Sequence, residues 1–300
     1  MTVVTVEQIT KTYGTHHVLN DITFSLTAGN CIALIGPNGA GKTTMLRIIT
    51  GLLKPTSGQC HFHHAVKDIR SIIGYLPQHP VFHSWMTGEE FLQYSAKLTG
   101  IAPETAFKRT TELLKTVGID DAKHKRIHTY SGGMKQRLGI AQAIIHRPSL
   151  LVLDEPVSAL DPIGRREVLD LLETLKKELT ILFSTHILSD ADEVSDDVIL
   201  LDHGRVVEAD SMIRLRKKYQ TAKIELTFES DLAYYKQQIN KLDSVINSNI
   251  VRSVLHITVS NIELARTEIL ETAVTNNWPV THFAINRTSL EDMFMKAVHR

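Results

Sequence analysis

Cysteine is scarce in this chain: there are two in 300 residues, Cys31 and Cys60. Both lie in strand-like segments, so a reduced, cytosolic protein is expected rather than one stapled by disulfides. Excess charge of either sign is also missing. Thirty-three basic side chains balance 33 acidic ones, which leaves no strong global field to recruit nucleic acid or an anionic membrane. Long hydrophobic runs are absent, since none approaches the ~18 residues of a transmembrane helix. The opening Met1-Thr2-Val3-Val4 lacks the basic and apolar regions of a signal peptide. If the protein works at a membrane, another chain is expected to supply the span. What remains is an ordinary globular composition, 43% hydrophobic and 22% charged, with length enough for two domains.

Short apolar runs alternate with helical texture. Residues 3–9 and 31–35 read as strands, the second ending at Gly36 in a Gly-rich turn that leads to a helix over 43–49. Residues 72–76 form another apolar strand. After Gln78 the texture turns helical. A capping box at Thr87-Gly88-Glu89-Glu90 opens one helix, Pro103 opens a second that ends at Gly118, and Ser131 can cap a third that runs to Ile145. Strands return at 150–153, 180–183 and 198–201, with a helix from 162 to about 177 capped by Asp161. This alternation predicts an α/β fold with a parallel sheet covered on both faces. The stretch from about 78 to 148 reads as a helical insertion. Texture changes again near Lys217-Lys218-Tyr219. Strand 222–228, helix 231–241, strands 244–248 and 251–259, helix 262–276 and strand 279–285 then give the order βαββαβ. That order suggests a small α+β, ferredoxin-like domain. A capping box at Thr288-Ser289-Leu290-Glu291 is expected to start a terminal helix. The expected domains are 1–220 and 221–300.

Two motifs carry chemistry. Gly36-Pro37-Asn38-Gly39-Ala40-Gly41-Lys42-Thr43 fits G-x-x-x-x-G-K-[ST] at every fixed position. Its glycines let backbone N–H groups surround phosphate oxygens, and the helix that follows points its positive end at them. Lys42 would reach the outer phosphates, and the Thr43 hydroxyl suits Mg²⁺. A chance glycine turn would need neither the strand before it nor the helix after it. Leu150-Leu151-Val152-Leu153-Asp154-Glu155 is an apolar strand ending in two carboxylates, where a parallel sheet binds its ligands. Asp154 would bind Mg²⁺, directly or through water, and Glu155 would act as general base on an attacking water. An acidic turn after a strand is common by itself, so this motif gains its meaning from the first.

Between the two lies Ser131-Gly132-Gly133-Met134-Lys135-Gln136, which offers a hydroxyl and bare backbone N–H groups at a helix start, a surface suited to an anion. With this stretch in place, residues 1 to about 220 resemble the ATP-binding subunit of ABC transporters, with the family's motifs in the family's order. The resemblance implies a P-loop NTPase that binds and hydrolyses ATP with Mg²⁺. It places Thr44 beside Thr43 in the phosphate loop and Tyr13 where an aromatic stacks on adenine; alone, Tyr13 would read as a surface tyrosine. Gln78, after Tyr75-Leu76-Pro77, matches a glutamine that contacts Mg²⁺ and water. Asp161, in Ser158-Ala159-Leu160-Asp161, matches a loop that crosses between protomers, and His186 a histidine at the γ-phosphate.

Ser131, Gly132 and Gly133 are implied to close over ATP bound by another protomer. The implied partners are a second ATPase subunit and permease subunits on separate chains, at the cytoplasmic face of a bacterial membrane, with no nucleic acid. Tyr130 stands where the family usually has leucine, and Met134 where it has glutamine. The Tyr-Ser-Gly-Gly-Met form is similar to drug, bacteriocin and lantibiotic exporters, as is Ser289-Leu290-Glu291-Asp292-Met293-Phe294. Soluble ABC ATPases of translation or DNA repair usually carry two cassettes or long coiled coils, and importers often end in an all-β domain; neither pattern is evident here. Val81, Phe82, Trp85 and Met86 read equally well as a groove for a permease helix or as core of the insertion. His61, His63 and His64 lack the Cys or carboxylate companions of a metal site and read as an exposed strand or turn.

Overall fold

The computed structural model describes residues 1–63, 68–219, 223–229, 232–286 and 290–298. Strands β1 (Thr2–Tyr13) and β2 (His16–Thr27) form an antiparallel hairpin. Val4, Val6 and Ile9 are all fully buried, although strict alternation would turn Ile9 outward. A bulge between Val6 and Ile9, with Gln8 at φ 48°, returns Ile9 to the core face. Strand β3 (Cys31–Ile35) is buried along its whole length and leads through the Gly-rich turn into α1 (Lys42–Ile49). Strand β4 (Ser57–Phe62) comes back to pair with β1, so one small sheet has the order β2-β1-β4.

The larger sheet begins at β5 (Ile73–Leu76). Helices α2 (Gly88–Leu98), α3 (Pro103–Thr116) and α4 (Gly132–Ala143) follow before β6 (Leu150–Leu153). Then come α5 (Pro162–Leu175), β7 (Thr180–Thr185), α6 (Leu188–Val194), β8 (Asp197–Asp202) and β9 (Arg205–Ser211). The order is β5-β6-β7-β3-β8-β9, parallel throughout except for β9. Three predicted caps form. Thr87 and Glu90 bond each other's backbone N–H, Ser131 Oγ accepts from Met134 N–H, and Asp161 accepts from Gly164 N–H. Register sets up the site: Leu76 pairs with Leu153, Leu153 with Phe183, and Ile35 with Thr185. The segments leaving β3, β5, β6 and β7 therefore emerge together at the carboxyl edge, where an open parallel sheet gathers its ligand groups.

Helix α7 (Met212–Tyr219) occupies the basic stretch where the sequence shows only a change of texture. The next elements are β10 (Lys223–Phe228), α8 (Leu232–Ile239), β11 (Val245–Val251), β12 (Val254–Val259), α9 (Ile262–Thr275), β13 (Val280–Asn286) and α10 (Leu290–Val298). Their sheet is antiparallel with the order β11-β12-β10-β13, the split βαβ arrangement of a ferredoxin-like unit. Ile224, Leu226, Leu255, Ile257 and Ile269 form its buried centre. Met1–Ile213 makes one compact unit and Arg214–Lys296 another. The predicted capping box at 288–291 falls partly outside the described residues.

Candidate active site

The Gly-rich turn is shaped by steric necessity. A Cβ on Gly36 would sit 2.1 Å from the Leu201 carbonyl oxygen. Gly41 has φ 103° and would meet Leu19 at 2.6 Å. As the N-cap of α1, Gly41 supplies no side-chain hydrogen bond, and the first turn carries no acidic residue. The N–H groups at that helix start stay available to an anion. The start of α4 differs, because the Ser131 hydroxyl already accepts the Met134 N–H at 3.2 Å.

Lys42 is buried, and its ammonium donates to the carbonyls of Gly36 and Pro37 at 2.8 and 3.1 Å. Burial holds it below the usual lysine value, opposed by the nearby charges of Glu155 and Asp154. Thr43 donates its hydroxyl to Asp154 Oδ1 at 3.1 Å, and Ser184 donates to the same oxygen at 2.7 Å. Ser184 Oγ in turn accepts the Glu155 N–H at 2.9 Å. Glu155 has φ 48°, a strained setting for a carboxylate residue. Its side chain accepts from Gln78 Nε2 at 3.2 Å, meets His186 Nδ1 at 3.1 Å, and lies 3.9 Å from the Lys42 ammonium. A cavity of about 620 Å³ opens over these groups, lined also by Asn38, Gly39, Thr44 and Ser158. Its volume suits a nucleotide-sized ligand.

The structure thus brings together Lys42, Thr43, Thr44, Gln78, Asp154, Glu155 and His186, drawn from four segments. It also adds groups that the sequence reading missed. Ser184 orients both carboxylate residues, yet as a serine in an apolar strand it carries no motif of its own. Val18 and His79 line the cavity as well. Tyr13 does not line it: the ring is half exposed at the end of β1, beneath the Lys11 ammonium at 5.0 Å. Ser131, Gly132 and Gly133 also lie off the cavity wall. They abut the start of α5, where a Cβ on Gly133 would come 3.4 Å from the Gly164 Cα, and one on Gly132 3.5 Å from Leu160. Asp161 is occupied as the α5 cap at 3.3 Å.

Tyr130 is buried, donating its hydroxyl to the Ala122 carbonyl at 2.8 Å and filling the space over Gly88. The apolar stretch after Gln78 divides in two. Phe82 packs edge-on against Phe91 at 5.3 Å, whereas Val81 and Trp85 stand 90% and 67% exposed and do not belong to a core. His61 meets Glu7 at 3.3 Å and His63 meets Thr5 at 2.8 Å, while His64 lies outside the described residues. Among the described residues no His, Cys, Asp or Glu group is arranged to hold a metal by itself, and no helix is long and apolar enough to cross a membrane.

Known proteins match this geometry. Residues 19–158 match the ABC transporter family, and residues 211–298 match the C-terminal domain of DrrA1-3-like ATP-binding proteins. The uncharacterized ABC transporter ATP-binding protein YxlF of Bacillus subtilis is 41% identical over 98% of this chain and 99% of its own length. The bacitracin transport ATP-binding protein BcrA of Bacillus licheniformis is 33% identical over 99% and 97%. Among solved structures, an ATP-binding cassette in a dimeric post-hydrolysis state with ADP and Pi is 26% identical, covers 70% of this chain and 98% of its own, and superposes with a TM-score of 0.62. With its phosphate loop, paired carboxylates and cassette fold, this chain belongs to the ATP-binding, ATP-hydrolysing subunits of ABC transporters, in the exporter-type group.

Proposed function

We propose that the chain powers a bacterial exporter as one half of a pair of cassettes that closes around ATP, with Glu155 as the base that activates water. The observation that carries this reading is the setting of Glu155, held between the Gln78 amide and the His186 imidazole and 3.9 Å from Lys42. Two fixed hydrogen-bonding neighbours keep a carboxylate aimed, as a general base requires. Lys42 would move from its loop carbonyls onto the outer phosphates and neutralise charge that builds as the γ-phosphoryl transfers. The Thr43 hydroxyl and Asp154 carboxylate, already in contact, make a hard oxygen pair that fits Mg²⁺, and the family pattern would add the Gln78 side chain, which lines the same cavity. When bound there, the ion would offset phosphate charge and help hold the reacting groups in line.

Tyr13, half exposed at the end of β1, would stack on adenine as the family pattern has it. Ser131 to Gly133 would serve ATP on the opposing cassette, since they stand clear of this chain's own cavity. A crossing role for the loop ending in Asp161 rests on the family pattern. The exposed Val81 and Trp85 would receive the permease, whose chain sets the cargo; export of a peptide antibiotic or drug fits the relatives. Catalysis at the cytoplasmic face follows from that partnership.

The test is Glu155→Gln. ATP should still bind, hydrolysis should fall by about 10²–10⁴, and a two-cassette species should persist on a sizing column with ATP. Near-normal turnover sinks the assignment. Trp85→Glu, in turn, should uncouple transport while the ATPase activity of the isolated chain survives.

A further inference from the structure

Glu155 and His186 leave the site in different directions. From Glu155 the chain passes through 156–161 into α5, and from His186 it passes directly into α6. An ion pair rejoins the two helices. Arg165, in the first turns of α5, donates Nε to Asp190 Oδ1 on α6 at 2.7 Å, adds a second guanidinium nitrogen to the same oxygen, and donates to Ser189 Oγ at 3.1 Å. Asp190 is 1% exposed, a burial that a carboxylate tolerates only when it is paired. Its other oxygen has no hydrogen-bond partner among the described residues, so Arg165 is what holds it. Arg166 also pairs with Glu193, but both side chains are well exposed, and water and salt weaken such a contact. An open cavity of about 310 Å³ lies against the Arg165–Asp190 pair, lined also by Leu160 and Pro162. Across this open junction the contact of Arg165 with the buried Asp190 ties α5 to α6.

The interactions close a ring. It runs from Glu155 along the loop to Asp161, which caps Gly164, and on to Arg165. It crosses to Asp190, follows α6 back to His186, and returns through His186 Nδ1 to Glu155 Oε1. No other residue in the ring spans the two helices by a buried charge. We propose that Arg165 and Asp190 are positioning residues for hydrolysis, setting where the His186 imidazole meets the Glu155 carboxylate. This rests on the roles given to Glu155 and His186 above, and it assigns neither Arg165 nor Asp190 a contact with ATP.

Removing one partner strands a buried charge and endangers folding, so the decisive variant is the double Arg165→Met/Asp190→Leu, which leaves no charge behind. In the full chain it should melt close to the parent. Its kcat should drop roughly 10- to 100-fold, as small misplacements of catalytic groups do, while KM for ATP stays within about twofold. In histidine ¹⁵N NMR, the His186 imidazole signals, recognised by their loss in His186→Ala, should shift in the double variant. Arg165→Lys should keep part of both the rate and the parent signal position. A folded double variant with unmoved His186 signals overturns the positioning role. Signals that move while kcat stays at the parent value overturn instead the catalytic role given to His186, and with it the effect claimed on hydrolysis. A kcat loss matched by an equal loss in melting reduces the pair to ordinary structural support and also overturns the proposal.

Discussion

The two units of this chain bury different things. In Met1–Ile213 the interior holds Lys42, Gln136, Asp154 and Asp190 beside its apolar core. In Arg214–Lys296 the buried polar residues among those described are two serines, Ser244 and Ser248. The first unit therefore carries desolvated charges that are stable only while paired, at the nucleotide-sized cavity and at the junction of α5 with α6. The second is held by aliphatic burial and by an aromatic cluster in which Phe228 stacks on Tyr235 at 4.0 Å and Trp278 packs edge-on. Buried charge marks the half that holds the phosphate loop and the paired carboxylates, and apolar burial marks the other half. Substitutions around the first unit's cavity should cost rate before stability, and in the second unit stability before rate.

The sharpest way to break this contrast lies at the start of α4. Ser131→Arg puts a long cation on an exposed helix N-terminus, where little packing is lost. Hydrolysis should fall by about 10³-fold, near 4 kcal/mol of transition-state stabilisation, while nucleotide titration of the monomer is unchanged. Lost monomer binding would place this stretch on the wrong side of the site. The converse substitution is Ile257→Ala at the centre of the second unit, which should cost about 3 kcal/mol locally through cavity formation. Hydrogen exchange should report loosening across β10, β12 and β13 while ATP turnover holds. A large fall in turnover would show that the two units are not separable in this way.

How far the sequence could be read follows the same division. In the first unit the motifs were legible because phosphate and magnesium chemistry demands particular residues at fixed spacings: Gly36 to Thr43, and Asp154 with Glu155. The second unit was legible mainly by periodicity: β10 and β12 alternate buried and half-buried positions as a half-covered strand requires, whereas β11 buries only Ser248. What escaped was contextual. Strands β2 and β4 are edge strands of a small bulged sheet, and β4, Ser57–Phe62, has no fully buried residue. Helix α6 is seven residues long and lacks a side-chain cap. Ser184, Arg165 and Asp190 acquire their meaning only when β6, β7, α5 and α6 meet in space.

Tyr130 shows how an apparent anomaly in sequence becomes a fit in structure. A Cβ on Gly88 would come 2.3 Å from its hydroxyl, and that hydroxyl also satisfies the buried Ala122 carbonyl. Tyrosine here and glycine at the start of α2 are one solution to one packing problem. Tyr130→Phe should lower stability by about 1 kcal/mol, since one buried hydrogen bond is lost while the Ala122 carbonyl keeps the Lys125 N–H, with ATP binding unchanged. Gly88→Ala should cost as much or more by overpacking, and combining the two should recover part of that loss because the clashing oxygen is gone. Strict additivity in chemical denaturation would separate the two positions.

The smallest effect tests whether the second unit has any charge of consequence. Glu268, on α9, accepts the Ser244 hydroxyl and the N–H groups of Ser244 and Asp243, the latter at 3.1 Å. The Ser244 hydroxyl above all, then these N–H groups, hold its carboxyl below the usual glutamate range against the cost of burial. Because the folded value lies below the unfolded one, the stabilisation is fully present above the unfolded carboxylate value of about 4.3. It disappears as pH falls through the folded value. Glu268→Gln should therefore lower local stability by about 1 kcal/mol at neutral pH, a charge-assisted bond discounted for its solvent-facing position. Amide exchange around β11, compared between parent and variant from pH 7 downward, should show that gap narrowing as Glu268 becomes protonated. A gap that stays constant with pH would mean that shape rather than charge is what Glu268 contributes to the second unit.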